Sequence, residues 1–153
     1  MKYSYTYTTP VGDLEIQANE NAITHITYRP NETPAIQKET PLIKKAYKQI
    51  EEYFQGKRTS FDLPLSLEGT PFQKKVWEAL QTIPYGETWS YKQVAEAIGN
   101  NKACRAVGMA NNRNPISIVI PCHRVIGANG KLVGYGGGLP NKEYLLQLER
   151  QKR

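Results

Sequence analysis

The chain has 153 residues, a net charge of +6, two cysteines and two histidines. That length allows one or two small domains with an ordinary core, and no apolar run approaches the roughly 20 residues a membrane span needs. No charged start leads into an apolar stretch, so no signal peptide is expected. Cys104 and Cys122 lack the spacing of a disulfide framework, and His25 and His123 supply no clustered zinc site. A reducing cytoplasm fits such cysteine usage.

The charge is lopsided. Residues 1–66 carry eight Lys/Arg and eight Asp/Glu, whereas residues 67–153 carry twelve and six. The excess in the second half points to an anionic partner there, although soluble proteins also carry such charge for solubility alone.

The first half reads as strands and then a helix. Tyr3, Tyr5 and Tyr7 alternate with Ser4, Thr6 and Thr8, and Leu14, Ile16 and Ala18 alternate after the Pro10-Val11-Gly12-Asp13 turn. Asn19-Glu20-Asn21 turns the chain into a third strand over 22–28, which completes an antiparallel meander with His25 as a structural residue. Thr40-Pro41 starts a helix with Leu42, Ile43, Ala46, Tyr47, Ile50, Tyr53 and Phe54 on one face, and Gly56 ends it. A last strand is expected over Thr59–Leu67. No chemistry is legible in this half. Its tyrosines are read as core rather than as platforms for bases.

Glu68-Gly69-Thr70 reads as a domain boundary, giving domains 1–67 and 68–153. Thr70-Pro71 opens a helix with Phe72, Val76, Trp77, Leu80 and Ile83 at helical spacing, and Pro84-Tyr85-Gly86 breaks it. Ser90 and Gln93 form a capping box that opens a helix over 91–98, Gly99-Asn100-Asn101 turns, and a second short helix is expected over Lys102–Asn111. Two short helices joined by a glycine-containing turn read as helix-turn-helix or as an ordinary αα-hairpin. The small residues Ala103, Cys104 and Ala106 permit close approach to a groove, and Lys102 and Arg105 stand at i and i+3, which favours DNA.

Pro115 then opens the apolar run Ile116-Ser117-Ile118-Val119-Ile120, expected to be a short buried strand that stops at Pro121. Cys122 and His123 follow directly. A thiol acts as a nucleophile only as thiolate, and a neighbouring imidazole can take its proton. The plainer reading makes Cys122 a small buried hydrophobe. Its place between a strand end and the glycine stretch Gly134-Tyr135-Gly136-Gly137-Gly138, where backbone can approach a ligand, favours a reactive site. Asn141 is read as the cap of a final helix over Lys142–Glu149.

Pro121-Cys122-His123-Arg124-Val125 resembles the acceptor-cysteine motif of the 6-O-alkylguanine-DNA alkyltransferases, the methylated-DNA–protein-cysteine methyltransferases. Arg105-Ala106-Val107-Gly108, Asn114-Pro115, Tyr135 with Gly137-Gly138-Leu139, and Lys142-Glu143 fall at matching spacings, so the resemblance runs from about Thr70 to Glu149 and more weakly over the N-terminal part. The elements read in chain order make an α/β chain: a small N-terminal domain with an antiparallel sheet and one helix, and a mostly helical C-terminal domain that carries a helix-turn-helix and the cysteine. The resemblance implies DNA repair by single-turnover transfer of an alkyl group from 6-O-alkylguanine to Cys122, with 4-O-methylthymine as a second candidate substrate. His123 would take the thiol proton through water, Glu149 would orient His123, Tyr91 would protonate the departing guanine, and Asn114 would brace the loop.

The same resemblance places the second helix in the minor groove of double-stranded DNA, with Lys102, Ala103, Cys104, Arg105 and Ala106 on the duplex, Arg124 as a further DNA contact, and Arg105 filling the gap left by a flipped nucleotide. Tyr135, Gly136, Gly137, Val125 and Lys142 would line the pocket. Gly136 stands where some relatives have a serine that contacts the guanine oxygen. No metal or organic cofactor and no membrane is implied, and a monomer is expected. Three alternatives remain at this point. A non-enzymatic alkyltransferase-like damage binder lacks the acceptor cysteine. A helix-turn-helix regulator needs neither Cys122-His123 nor the glycine loop. A cysteine hydrolase needs an oxyanion hole, and none is legible.

Overall fold

Aromatic and β-branched side chains suit a pleated surface, and the alternating Tyr and Thr residues near the N-terminus form one. In the computed structural model, which describes residues 1–28 and 34–151, they lie on strand β1 (Tyr3–Thr9). β2 (Gly12–Ala18) and β3 (Ile23–Thr27) complete the expected antiparallel meander, with a bulge between Gln17 and Ala18. A fourth strand was not legible. β4 (Ile36–Gln37) pairs parallel to β1, for the order β3-β2-β1-β4, and its two residues are too few to show a period.

Helix α1 (Pro41–Phe54) starts where Thr40 Oγ1 accepts the Ile43 N–H at 3.2 Å. It lies against the sheet, and Ile43, Ala46, Ile50 and Tyr53 join Leu14, Ile16, Ile23 and Ile26 in one core. Tyr47 stacks on Tyr7 with ring centroids 3.8 Å apart. The strand expected over 59–67 shrinks to a single parallel bridge between Leu65 and Ile23. Pro64 has no N–H to give to a ladder, and the buried Gln49 side chain holds Asp62 by its N–H and its carbonyl at 2.9 and 3.0 Å.

The chain divides into two compact units, Met1–Leu67 and Glu68–Arg153. At the start of the second, a Cβ on Gly69 would lie 2.7 Å from the Trp77 ring, so glycine lets the chain pass that indole. α2 (Pro71–Leu80) opens with the Thr70/Gln73 capping box and buries Val76, Trp77 and Leu80. The Trp77 indole N–H donates to the Ala110 carbonyl at 2.9 Å. α3 (Tyr91–Ala97) opens with the Ser90/Gln93 capping box, and α4 (Cys104–Asn112) follows a turn at Gly99, whose φ is +79°. α2, α3 and α4 pack on one another through Val94, Ala95, Val107 and Ala110. α4 begins two residues later than expected, so Lys102 lies in the turn and Ala103 at the cap.

A two-stranded parallel ribbon, β5 (Trp89–Ser90) and β6 (Val125–Ile126), was also not legible. It pairs Trp89 with Val125 and Ser90 with Ile126. Because β5 runs directly into Tyr91 and β6 directly follows Arg124, this short ribbon brings the start of α3 to the cysteine motif. α5 (Leu139–Gln151) buries Leu145, Leu146 and Leu148. It starts at Leu139 rather than Lys142, with Pro140 in its first turn, where a missing N–H costs nothing. Asn141 is therefore inside the helix. Its Nδ2 donates to the Gly137 carbonyl at 2.9 Å, which ties the glycine loop to α5 instead of capping it.

Candidate active site

The run Ile116–Ile120 is a buried double turn, not a strand. The Val119 N–H donates to the Ser117 carbonyl at 2.8 Å around Ile118, whose φ is +74°, and the Ile120 N–H donates to the Ile116 carbonyl at 3.0 Å. That is a γ-turn of the rare positive-φ kind, on a β-branched residue that is 1% exposed. Asn114 closes the loop from inside: its Oδ1 accepts the Ile116 N–H at 3.0 Å and its Nδ2 donates to the Ile120 carbonyl at 2.7 Å. A second γ-turn follows. Pro121 has φ −81° and ψ 63°, and the Cys122 N–H donates to the Ile120 carbonyl at 2.8 Å. The cysteine opens a 3₁₀ turn, Cys122–Arg124.

Cys122 is 4% exposed, and burial pushes its thiol up to about 11. A hydrogen bond from Asn114 and the charge of Lys142 pull the other way. The thiol is therefore protonated at neutral pH and needs a base. His123 is fully buried, and its Nε2 donates to Glu149 Oε2 at 2.6 Å. Its Nδ1 is buried and meets no hydrogen-bond partner among the described residues. Burial holds the imidazole below its ordinary range against the opposing pull of Glu149, so at neutral pH the ring is uncharged and able to accept a proton. Burial raises the Glu149 carboxyl, but the hydrogen bonds and charges of His123 and Arg124 outweigh it and keep the group a carboxylate.

Arg124 corrects one expectation. It is 6% exposed, not on a DNA-facing surface. Its Nε donates to Glu149 Oε1 at 2.8 Å, its Nη2 to Glu149 Oε2 at 3.1 Å and its Nη1 to the Ile83 carbonyl at 2.7 Å, and the guanidinium lies 5.7 Å from the Tyr85 ring centroid. Charge and a two-pronged geometry are what a fixed carboxylate needs. The Gly86 N–H adds a further donor to Glu149 Oε1 at 3.1 Å, in a turn where Gly86 has φ +81°. Glu149 is thus anchored before it meets His123.

Lys142 is fully buried. Its Nζ donates to the carbonyls of Val125, Val133 and Gly134, and no carboxylate is among these partners. Burial lowers the ammonium to about 8, against the charge of Cys122, which raises it. The ammonium sews the segment after the cysteine to the start of the glycine loop. It also engages the carbonyl of Val125, one of the residues expected to line the pocket. Tyr91 Oη donates to the same Val133 carbonyl at 3.3 Å, and burial followed by the charge of Cys122 raises its phenol, so Tyr91 holds its proton at neutral pH.

Tyr135 and Gly137 are half-buried and Gly136 is exposed, with nothing within 4 Å of where its Cβ would stand. Ala103 and Cys104 are half-buried, and Lys102, Arg105 and Ala106 are exposed. The structure therefore gathers Cys122, His123, Glu149, Asn114, Lys142 and Tyr91 around one buried turn, and leaves Lys102, Arg105 and Ala106 exposed. Asn111 was missed. Its Nδ2 lies 3.5 Å from the Cys122 carbonyl and its Oδ1 is buried without a hydrogen-bond partner. Nothing in Ala110-Asn111-Asn112 marks which asparagine points inward until the register of α4 is known.

The DNA-binding domain of the 6-O-methylguanine DNA methyltransferases matches residues 71–151, and the ribonuclease-like domain of the same family matches residues 1–67. The methylated-DNA–protein-cysteine methyltransferase of Methanosarcina barkeri is 52% identical over 92% of this chain and 92% of its own. The constitutive one of Bacillus subtilis is 47% identical over 98% and 96%. The crystal structure of Mycobacterium tuberculosis OGT in complex with DNA superposes with a TM-score of 0.91 at 45% identity, covering 98% of this chain and 94% of that one. With both domains of one family matched in order along its length, and relatives near half identical from end to end, this chain belongs to the 6-O-methylguanine DNA methyltransferases.

Proposed function

We propose that this protein repairs alkylated DNA as a methylated-DNA–protein-cysteine methyltransferase whose acceptor is Cys122. One observation carries the assignment of the acceptor: a buried thiol stands on a turn locked by Asn114, with a fixed chain of His123, Glu149 and Arg124 behind it. His123 Nδ1, which no group among the described residues engages, takes the thiol proton through one water. The Cys122 sulfur then attacks the alkyl carbon of 6-O-alkylguanine. The carbon–oxygen bond breaks, its electron pair stays on the guanine oxygen, and Tyr91 Oη gives the base a proton. Glu149 balances the imidazolium as it forms, as the acid of a protease triad does.

A base inside a duplex is beyond reach of a buried thiol, so the nucleotide is flipped out, and Arg105 on the open face of α4 fills its place from the minor groove of double-stranded DNA. The thioether formed is stable and Cys104, the other cysteine, belongs to α4 and not to the turn that carries Cys122, so each chain reacts once. Both cysteines are free thiols, which suits a reducing cytoplasm, and the protein is read as a monomer. Among the described residues no helix is long and apolar enough to cross a membrane.

Duplex DNA with one labelled methyl on a guanine oxygen tests this reading. Label on protein should rise to a plateau near one per chain and stay there. Continued release of labelled methanol or methanethiol from catalytic amounts of protein would sink it.

A further inference from the structure

An exposed apolar side chain standing alone is ordinary on a protein surface. Met109 is not ordinary in its setting. It is 63% exposed, the most exposed large hydrophobic side chain described in residues 68–151. It shares the open face of α4 with Arg105, Ala106 and Asn112, while Val107, Ala110 and Asn111 face inward. Four residues at about 1.5 Å each set Met109 about 6 Å beyond Arg105 along the axis. From Lys102 to Arg113 this segment carries three cations and no carboxylate.

The same face runs into the active site. A Cβ on Gly108 would stand 3.7 Å from the Tyr91 ring, and the Asn112 amide lies against Gly134 at the start of the glycine loop. An apolar side chain flanked at i−4 and i+4 by Arg105 and Arg113, on a segment without a carboxylate, fits a polyanion better than a protein surface.

We propose that Met109 is an apolar wedge that enters the minor groove of the duplex one helical turn beyond Arg105. The proposal rests on the reading of α4 as the DNA-contacting helix. Successive phosphates of one strand are about 3.4 Å apart along the axis, so Met109 meets the groove within about two base steps of the flipped nucleotide. The groove there is walled by sugar C–H groups and floored by a base step already opened. Methionine is unbranched and polarizable and fills irregular apolar gaps, and it is one of the residues that wedge base steps in minor grooves. Arg105 and Met109 then divide the work: the cation takes the vacated stack, and the thioether holds the neighbouring step open without adding charge.

The test is the affinity for an alkylated duplex across a salt series, for wild type, Met109→Ala, Met109→Gln and Met109→Leu. Unfolding midpoints should match, because the side chain is exposed. Ala and Gln should weaken binding about tenfold at every salt concentration, with the slope of log affinity against log salt unchanged, since no phosphate contact is lost. Leu should stay within about twofold of wild type. Ala or Gln with wild-type affinity overturns the wedge, as does a loss that appears only as altered self-association with duplex affinity unchanged. Wild-type protein that binds duplex without salt dependence overturns the reading of α4 itself, and is told apart because it needs no variant.

Discussion

At the scale of single residues, the chemistry of Cys122 depends on a fixed proton acceptor and a fixed carboxylate behind it. Arg124 supplies that fixity, so its loss should act through the fold and through His123, not through DNA. Removing one partner of a buried ion pair leaves an uncompensated charge and costs about 3–5 kcal/mol. Arg124→Ala should therefore lower the unfolding free energy measured in urea by that much and slow transfer, with the salt dependence of DNA binding unchanged. A lowered salt slope with wild-type stability would restore the DNA-contact reading instead. Glu149 gives a pH signature. Its carboxyl lies below its unfolded range, so its contribution is full above the unfolded value near 4.5 and is lost as pH falls below it.

His123 sets the acid limb of the rate. Its imidazole is held below the ordinary 6.5, so single-turnover transfer should stay level as pH falls through 6.5 and drop only below it. A midpoint at or above 6.5 would contradict the lowering of the buried imidazole. Cys122 and His123 stood out because they sit together in Pro121-Cys122-His123-Arg124-Val125, whereas Glu149 was singled out only by the resemblance, since a lone carboxylate in a last helical turn otherwise reads as a solvated charge. The burial of Arg124 was not legible, because a sequence does not state which of twenty cations the fold will bury.

At the scale of elements, the apolar run 116–120 shows where periodicity stops being informative. Five apolar or small residues bounded by prolines fit a buried strand and a buried turn equally well. The turn won because Asn114 supplies an amide that satisfies Ile116 N–H and Ile120 C=O at once, a role a neighbouring strand would otherwise fill. Asn114→Ala should leave the buried Ile116 N–H unpaired and strip the Ile120 carbonyl of one of its two donors, lower stability by roughly 1–3 kcal/mol and slow transfer. Transfer at the wild-type rate would mean the turn holds itself. Helices α1, α2 and α3 were readable from their caps, with Thr40, Thr70 and Ser90 all accepting as expected, whereas α4 has no side-chain cap and α5 starts before Asn141. The two-residue strands β4, β5 and β6 were not, although β5 and β6 are what bring Tyr91 to the acceptor. On α4, Arg105→Ala should slow the saturated single-turnover rate strongly on duplex and much less on the free alkylated base, because only the duplex has a stack to open. Arg105→Lys should rescue in part, keeping charge without a stacking plane. Equal rates for Arg105→Ala and wild type on both substrates would rule out insertion.

At the scale of the whole molecule, the α/β class, with a sheet-plus-helix first half and a mostly helical second half, followed from strand alternation, capping residues and the glycine at position 69. The charge asymmetry was legible too, but only the fold shows that it is unevenly used: Arg124 and Lys142 are buried for structure and chemistry, while Lys102, Arg105 and Arg113 stay exposed. Transfer to one particular thiol is the claim on which the rest depends, and it can be read directly. After reaction with duplex DNA carrying 6-O-methylguanine, the protein is digested and its two cysteine peptides are compared by mass spectrometry. One methyl group on the Cys122 peptide, none on the Cys104 peptide, and none on either after Cys122→Ser is the expected result. Methyl on Cys104, or transfer that survives Cys122→Ser, would contradict it.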